Sequence, residues 1–322
     1  MAVGCVIGVD LGGTKLLAGT VDADLQVHHR TFRMARPDDA SAVIDQLVET
    51  IQEGRDAAPG EVLGVGLGVP GLVDPGSGVV ADSNHLPLAG VALRDVLSER
   101  VGLPVAIDND GNMAMLAESR RGAARGARDA VLLTIGTGIG GGLLVGGRIV
   151  HGARGAAGEL GHMIVDADGP PCPGRCPNHG CLEALVSGHA LGIEGARLAA
   201  ERPESALHEA RERGDAITGL LVTELALAGD DAARAVIATM GANLGLGIVT
   251  LANVFNPEVV VVGGGAIGAG ELLLEPAREV VAQRALPIAR AGLRIVATHF
   301  GAEAGMMGAA CAALDAAGVG VA

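Results

Sequence analysis

Three of the chain's five cysteines stand within ten residues of one another, and a histidine precedes them. The segment from residue 161 reads GHMIVDADGPPCPGRCPNHGC. His162, Cys172, Cys176 and Cys181 offer one imidazole and three thiolates, a ligand set that tetrahedral Zn²⁺ takes in closed structural sites. Free thiols or a redox pair are the alternative, but the chain contains no C-x-x-C motif. The pattern therefore predicts a structural zinc site.

Two carboxylates flank this cysteine segment. Glu159 lies three residues before His162, and Glu183 lies two residues after Cys181. A zinc ion bound to one imidazole nitrogen leaves the other free to hydrogen-bond. A braced loop that presents an imidazole and two carboxylates suits a ligand with several hydroxyl groups, such as a sugar. The alternative for either glutamate is an ordinary solvated surface residue.

A second group of acids stands where a short apolar run, VAI, gives way to the residues DNDG at positions 108–111. We expect a strand that ends near Asp108 and a helix that begins near Asn112. One residue between them should cap the helix, which leaves an acid over. A carboxylate at the end of such a strand could accept a hydroxyl proton during phosphoryl transfer. The pattern does not distinguish Asp108 from Asp110 in this role.

The first of three glycine-rich turns is VDLGGTKL, at residues 9–16. A Walker A loop would place its lysine before a Ser or Thr and open a helix, whereas Thr14 precedes Lys15 here and a strand is expected to follow. The backbone N–H groups of Gly12, Gly13 and Thr14 could hold phosphate oxygens. Asp10 could orient a hydrated Mg²⁺. An ordinary hairpin turn is the alternative.

The second turn is TIGTGIGGG, at residues 134–142. It contains G-x-G-x-x-G after a strand, but a Rossmann site needs a helix next, and the following residues GLLVGGRIV indicate a hairpin. We therefore expect a phosphate-binding turn made of backbone together with Thr134 and Thr137. A flexible turn without a ligand is the alternative.

The third turn is VVVVGGGAIG, at residues 259–268, between a predicted strand and a predicted helix. No Asp or Glu follows the next predicted strand, Leu293–Thr298, where a dinucleotide site would bind a ribose. Close backbone approach to a nucleotide base or ribose is therefore favoured over NAD binding.

The elements that position these groups repeat along the chain. A strand–strand–strand–helix–strand opening recurs in looser form after Ala130, which predicts two related α/β lobes; one continuous α/β domain is the alternative. The net charge of −14 argues against a nucleic-acid partner. The N-terminus does not have the pattern of a signal peptide, and the uncharged stretch Ala235–Pro257 is interpreted as a buried helix and not a membrane span. We expect a cytoplasmic protein without a membrane partner.

Taken together, these motifs resemble the ROK family of sugar kinases and repressors, and most closely its bacterial glucokinases. The resemblance runs from about Val6 to Ala310 and rests on DLGGTK, GVPGLVD, NDGN, TIGTGIGGG, GELGH, the cysteine segment ending GCLE, and NPEVVVVGGG. It implies an α/β chain with the actin-like ATPase (ribonuclease H-like) fold, two lobes and a sugar in the interlobe cleft. The small lobe is expected at 1–115 with a C-terminal helix at about 303–322, and the large lobe at 116–302.

The resemblance also assigns roles. Asp110 matches the catalytic base, and the other sugar-contacting positions match Asn109, Glu159, His162, Glu183 and, in the SNHLPL segment, Asn84. The phosphate and nucleotide segments match Asp10, Gly12, Gly13, Thr14, Lys15, Thr134, Thr137, Gly138, Gly264 and Gly265. The zinc ligands match His162, Cys172, Cys176 and Cys181. The chain departs from the commonest family pattern in one place, because CPGRC has three residues between its cysteines where one is usual.

The function that follows from the resemblance is phosphorylation of the 6-hydroxyl of glucose by ATP, with Mg²⁺ and a structural Zn²⁺. A kinase of fructose, mannose or an N-acetylhexosamine is one alternative, and polyphosphate is an alternative donor. A non-catalytic sugar-sensing regulator is the other alternative. Regulators of the family carry an N-terminal helix-turn-helix, for which the first predicted strand, starting at residue 3, leaves no room. A homo-oligomer, either dimer or tetramer, is expected.

Overall fold

The structure is a computed structural model that describes residues 4–83 and 86–319. The first half of the chain forms β1 (Cys5–Leu11), β2 (Lys15–Asp22), β3 (Val27–Met34), α1 (Ala40–Asp56), β4 (Val62–Val69), β5 (Leu72–Val73), β6 (Val80–Asp82), α2 (Leu93–Val101), β7 (Val105–Asn109), α3 (Asp110–Arg121), β8 (Ala130–Ile135), β9 (Ile139–Val145) and β10 (Arg148–Ile149). The second half forms α4 (Leu182–Leu185), α5 (Gly188–Glu201), α6 (Ala206–Glu212), α7 (Gly219–Ala228), α8 (Asp231–Phe255), β11 (Val259–Gly263), α9 (Glu271–Arg284), α10 (Pro287–Arg290), β12 (Arg294–Ala297) and α11 (Ala304–Ala316).

The described chain divides into two compact units. Unit 1 contains the chain up to Gly126, the segment Gly142–Gly158 and the chain from His299 onward. Unit 2 contains Ala127–Gly141 and Glu159–Thr298. These boundaries differ from the expected lobes, 1–115 with 303–322 and 116–302. The whole of α3 stays in unit 1 because it packs along α11, and the segment Gly142–Gly158 joins unit 1 because it contacts α3 and β5.

Each of the two larger sheets has five strands, and both have the same pattern. The first has the order β3-β2-β1-β4-β7, and the second has the order β10-β9-β8-β11-β12. In the first, β1 pairs antiparallel with β2 and parallel with β4, and β7 continues the parallel set. In the second, β9 and β10 are antiparallel, and β11 lies parallel between β8 and β12. The strand–strand–strand–helix–strand repeat seen in the sequence is therefore real.

The cores are made of aliphatic side chains because the chain has almost no aromatic ones. The four valines of β11 are fully buried, as expected for a parallel strand covered on both faces. Helix α11 is a buried helix of Ala, Gly and Met that packs on β1 and β4. The backbones approach closely there: a β-carbon at Gly66 would lie 1.8 Å from the carbonyl oxygen of Ala309. Small residues in this helix and sheet thus replace the large side chains that a core usually has.

Helix α8 contains most of the uncharged stretch Ala235–Pro257, which was interpreted from the sequence as a buried helix and not a membrane span. By length and composition alone it could cross a membrane, and 56% of its most apolar window is buried within the protein. A core helix meets the same criterion. Gly241 and Gly245 of α8 pack against the backbone of α9 at Leu273 and Ala277, which is the behaviour of a packed core helix.

Candidate active site

Two aspartates meet at the carboxyl edge of the first sheet. Asp10 on β1, Gly68 on β4 and Asp108 on β7 are register partners across three parallel strands. Asp110 follows immediately at the start of α3. A β-carbon at Gly68 would lie 3.6 Å from Oδ1 of Asp10 and 3.5 Å from Cα of Asp110. The glycine therefore leaves open the space between the two acids that were assigned to magnesium and to proton transfer.

The electrostatics at this edge favour a cation. Burial of the Asp10 carboxyl group, and then the negative charge of Asp110, raise its pKa to about 7 from an ordinary value of 3.8. Such a shift shows that the ionised carboxylate is under-compensated by the surrounding protein. Oxygen ligands and unbalanced negative charge are what Mg²⁺ requires. The residues at this edge therefore fit the predicted Mg²⁺, to which Asp10 would offer a carboxylate.

The structure also separates the roles of the neighbouring residues. The carboxylate of Asp108 accepts hydrogen bonds from the backbone N–H of Asn109 (2.7 Å) and from Nδ2 of Asn112 (2.9 Å), and it lies 2.6 Å from Nε2 of His151. Asn109 is the helix cap: its Oδ1 accepts from the N–H groups of Gly111 and Asn112. The expected cap is therefore confirmed, and α3 begins at Asp110, before the predicted start near Asn112. Both oxygens of Asp108 are thus engaged, and Oδ1 of Asp110 accepts a hydrogen bond from the backbone N–H of Gly111 (2.9 Å).

The four predicted zinc ligands of unit 2 come together. The ligand atoms of His162, Cys172, Cys176 and Cys181 all lie within 4.8 Å of one another. Nδ1 of His162 is 3.5 Å from Sγ of Cys172, and Sγ of Cys176 is 3.9 Å from Sγ of Cys181. One imidazole nitrogen and three sulfurs around a common centre fit a tetrahedral Zn²⁺.

The widened CPGRC spacing does not remove Cys172 from this group. The backbone N–H of Cys172 donates to the carbonyl of Asn178 (2.9 Å), and Pro171 forms a β-bridge with His179. These contacts close the loop at its base, so the extra residues project outward and Gly174 takes a positive φ of 72°. The inserted residues are accommodated without displacing the thiol.

The thiols of this cluster are in different environments. Burial raises the pKa of Cys172 and of Cys181, whereas a hydrogen bond from the backbone of Asn178 lowers the pKa of Cys176. Thiolates are the form that binds zinc. In the absence of an ion the two buried thiols therefore favour the protonated form, so metal binding would release protons.

The two glutamates that flank the cysteines have different contacts. Oε2 of Glu159 is 3.9 Å from Nε2 of His162, the imidazole nitrogen that faces away from the sulfurs. Burial raises the pKa of Glu159, and the charge of Glu183 adds to the shift. Glu183, in the first turn of α4, accepts a 2.6 Å hydrogen bond from the backbone N–H of Ile139. Unit 2 thus gathers all three of its predicted sugar-contacting residues.

The second and third glycine turns lie side by side in unit 2. Thr134 at the end of β8 is the register partner of Gly263 at the end of β11. Gly264 has a positive φ of 83°, and a β-carbon there would lie 2.4 Å from the carbonyl oxygen of Ile135. Gly265 follows in a short 3₁₀ turn, and Thr137 is exposed between Gly136 and Gly138. The predicted phosphate and nucleotide segments of this unit therefore form one edge.

The first glycine turn belongs to unit 1. The N–H of Gly12 donates to the carbonyl of Lys15 (2.7 Å), which closes the β1–β2 turn. This N–H is committed to the turn, whereas Gly13 lies at its tip and Thr14 and Lys15 are exposed. The strand–turn–strand geometry confirms that the motif does not open a helix.

One predicted residue and three unpredicted ones remain to be placed. Asn84 lies outside the described residues. Sequence reasoning missed His151, because its partner Asp108 is 43 positions away. It also missed Ile139 as a backbone donor to Glu183, and Gly68 as the spacer between the acids.

Comparison with known proteins decides the family. Residues 6–316 match the ROK family. This chain belongs to the ROK family. It is 36% identical to a glucokinase of Thermotoga maritima over 322 aligned positions, covering 95% of this chain and 96% of that protein. It is also 32% identical to the xylose repressor of Caldicellulosiruptor bescii, covering 88% of this chain and 71% of that protein.

A solved ROK structure confirms the fold. The ROK family glucokinase from Streptomyces griseus, crystallised with glucose and AMPPNP, superposes with a TM-score of 0.84 at 33% identity, covering 95% of this chain and 98% of that one. The predicted actin-like ATPase fold with two α/β units is therefore confirmed. Among ROK relatives of comparable identity, both kinases and repressors occur, so membership alone does not fix an activity.

Proposed function

We propose that this chain is a ROK sugar kinase that transfers the γ-phosphoryl group of ATP to the 6-hydroxyl of glucose. Two similar proteins support a sugar kinase. One is the relative named glucokinase, and the other is the related glucokinase whose structure contains glucose and AMPPNP. The observation that carries the proposal is the placement of Asp110 beside Asp10, across the open space at Gly68, on the carboxyl edge of three parallel strands.

Asp110 is the proposed catalytic base. Its carboxylate accepts the proton of the sugar 6-hydroxyl as the hydroxyl oxygen attacks the γ-phosphorus in line, and ADP leaves. Phosphoryl transfer depends mainly on positioning and on charge stabilisation, and a base contributes by orienting and deprotonating the nucleophile. Asp10 would hold Mg²⁺, which supplies neutralisation of phosphate charge when it is bound.

The sugar contacts are assigned to residues of both units. Asn109 in unit 1, and Glu159, His162 and Glu183 in unit 2, offer amide, carboxylate and imidazole groups that hydrogen-bond hydroxyls. Asn84 belongs to this assignment from the sequence. His162, Cys172, Cys176 and Cys181 would hold Zn²⁺, whose role when bound is to brace the loop. Nδ1 of His162 faces the sulfurs, so its Nε2 remains available beside Glu159.

The nucleotide is assigned to the glycine turns. Backbone N–H groups of the 136–138 turn with Thr134 and Thr137, and the Gly264–Gly265 segment, form the proposed phosphate and nucleotide contacts in unit 2. Gly13, Thr14 and Lys15 form the proposed phosphate contact in unit 1; Gly12, which was also predicted, is left out because its N–H already donates to the carbonyl of Lys15. A location in the cytoplasm and assembly into a dimer or tetramer are parts of the same proposal.

The test is a panel of hexoses with ATP and Mg²⁺ in an ADP-release assay, together with product analysis. Glucose should give glucose 6-phosphate with the highest kcat/KM. Asp110→Asn should lower kcat by about a hundredfold or more, the range for loss of general-base catalysis. Asp95→Asn, at an exposed position on α2, is the control and should retain wild-type turnover.

Two other outcomes would redirect the assignment. A higher kcat/KM for fructose, mannose or an N-acetylhexosamine would leave a ROK kinase with another substrate. No ADP release with any hexose, combined with calorimetric binding of a sugar, would favour a non-catalytic sugar sensor. The 32% identity to a xylose repressor is the observation that supports a sugar sensor as the second candidate. Substituting polyphosphate for ATP in the panel tests the donor.

A further inference from the structure

His151 makes a short contact with the strand end that carries the proposed base. Its Nε2 lies 2.6 Å from Oδ2 of Asp108, and the side chains of the pair are 29% and 18% exposed. The hydrogen bond to Asp108 also raises the pKa of the imidazole, which favours its charged form. His151 follows β10 and belongs to the segment Gly142–Gly158 of unit 1. The contact therefore joins two segments distant in sequence.

Besides His151, Asp108 bonds one residue before and one residue after Asp110 in the sequence. Its Oδ1 accepts from the backbone N–H of Asn109, the residue before Asp110, at 2.7 Å. The same oxygen accepts from Nδ2 of Asn112, two residues after Asp110, at 2.9 Å. The Asn112 side chain is buried, and among the described residues its Oδ1 has no hydrogen-bond partner. The bond to Asp108 therefore sets the position of this amide.

Asn109 completes the arrangement. Its Oδ1 caps α3 by accepting from Gly111 and Asn112, and its Nδ2 donates to the carbonyl of Gly71 at 3.1 Å. The backbone of Asp110 is thus held between two residues that both bond to Asp108. One oxygen of Asp108 makes both of these bonds, and His151 holds the other oxygen. Rotation of the Asp108 carboxylate would break them together.

We propose that His151 is a positioning residue for phosphoryl transfer: through Asp108 it fixes the start of α3 and so the placement of Asp110. This inference rests on the proposed kinase function. His151 is not assigned any contact with sugar, nucleotide or metal. Because a displacement of about 1 Å at a reacting group can cost on the order of a hundredfold in rate, an indirect anchor of this kind should be visible in kcat.

His28 provides a matched control within the same unit. Its Nε2 lies 2.8 Å from Oδ2 of Asp22, and these side chains are 25% and 9% exposed. The pair has the same chemistry and similar burial, but it belongs to β2 and β3 and, among residues 4–83 and 86–319, bonds none of the candidate site. His28→Ala therefore measures what the loss of a histidine–aspartate pair does to the unit in general.

The experiment compares His151→Ala, His151→Gln, His28→Ala and Asp108→Ala, with the double variant His151→Ala/Asp108→Ala. His151→Ala should lower kcat at least about tenfold with the KM for ATP within about threefold of wild type, while His28→Ala keeps wild-type kcat. His151→Gln retains a donor to Asp108 and should recover part of the loss. The double variant should lose no more than Asp108→Ala alone, because His151 acts through Asp108.

Hydrogen exchange of residues 105–121 is the second measurement. It should be faster in His151→Ala at the start of α3 and unchanged in His28→Ala. Wild-type kcat in a folded His151→Ala protein, or additive losses in the double variant, would overturn the positioning role. A wild-type chain that phosphorylates no sugar would instead refute the proposed function, which the kinetics of the unmodified protein reveal before any variant is compared.

Discussion

Gly138 and Glu183 are close neighbours in unit 2, and the carboxylate of Glu183 occupies space that a side chain at position 138 would need. A β-carbon at position 138 would lie 2.3 Å from Oε2 of Glu183. The same oxygen accepts a hydrogen bond from the N–H of Ile139, the next residue along the turn. The turn that is predicted to bind phosphate thus also holds, by a hydrogen bond, a carboxylate that is predicted to bind sugar.

Gly138→Ala should therefore weaken sugar binding. The added methyl group must displace the Glu183 carboxylate and break its bond to Ile139, so we expect glucose affinity without nucleotide to fall at least about tenfold, or about 1.4 kcal/mol. Gly268→Ala is the control because a β-carbon there meets nothing within 4 Å and should leave glucose affinity unchanged. Calorimetric titration measures both. Equal affinities in the two variants would contradict a role for the Gly138 contact in sugar binding.

The zinc assignment predicts a difference between two buried cysteines. Cys172 belongs to the four-residue cluster, whereas Cys311 is packed in α11. Wild-type protein and Cys311→Ser should each contain about one zinc per chain, the occupancy of a closed structural site. Cys172→Ser should contain much less zinc and unfold at a lower temperature, because zinc binding energy stabilises the fold that forms the site.

Metal analysis by mass spectrometry and thermal unfolding with and without a chelator check this prediction. The chelator should lower the unfolding temperature of the wild type and of Cys311→Ser, and should have little further effect on Cys172→Ser. Full zinc content in Cys172→Ser would show that the widened CPGRC loop leaves its first cysteine out of the metal site.

Local patterns predicted individual strands and turns, because apolar runs and turn residues act within a few positions of one another. The valine run of β11 and the hairpin of β9 and β10 lie close to where their patterns put them. Sheet order and lobe boundaries depend on contacts between distant segments. The predicted boundary at residue 115 would have divided α3, since its packing on α11 cannot be read from its own sequence.

The candidate site shows the same limit at the level of single residues. The residue types and spacing predicted the cluster of His162 and three cysteines, which lie within 20 residues of one another. They could not separate Asp108 from Asp110, because His151, which engages Asp108, is remote in sequence. The glycines considered in the sequence were those of three turns expected to approach phosphate or nucleotide. Gly66 instead admits the backbone of α11, and a pattern of residues does not reveal which helix crosses which strand.

The raised pKa of Asp10 predicts how stability depends on pH. With a folded-state pKa of about 7 against 3.8 for the unfolded value, the folded protein binds this proton more tightly. The contribution of Asp10 to the free energy of unfolding therefore falls as pH rises from about 4 to about 7. Asp10→Asn removes this titration. The stability of the variant relative to wild type should therefore increase as pH rises through this range, and the difference should reach roughly 1–4 kcal/mol at pH 8.

Urea unfolding of both proteins between pH 4 and pH 8, without divalent cations, measures the difference. Asp56→Asn, at an exposed position at the end of α1, is the control and should follow the wild-type pH profile. If the free energies of wild type and Asp10→Asn differ by the same amount at every pH, the proposed environment of Asp10 is wrong. The variant should also lose phosphoryl-transfer activity, because it removes the proposed magnesium contact.

The buried carboxylate of Glu118 predicts a stability effect outside the candidate site. Its Oε1 accepts from the backbone N–H groups of His299 and Phe300, and its Oε2 accepts from that of Ala123. The side chain is 0% exposed. Glu118→Gln replaces one of these oxygens by an NH₂ group, which cannot accept a hydrogen bond from a backbone N–H. At least one buried N–H then loses its acceptor, so we expect a loss of about 1–3 kcal/mol in the free energy of unfolding.

Glu258 is the matched control for this prediction. Its Oε1 also accepts from two backbone N–H groups, those of Arg128 and Asp129, but the side chain is exposed and water can replace it. Glu258→Gln should therefore cost less than about 1 kcal/mol, since exposed groups lose little when a partner is removed. Urea denaturation of the two variants gives the comparison. A larger loss in Glu258→Gln than in Glu118→Gln would show that burial does not determine the strength of these backbone contacts.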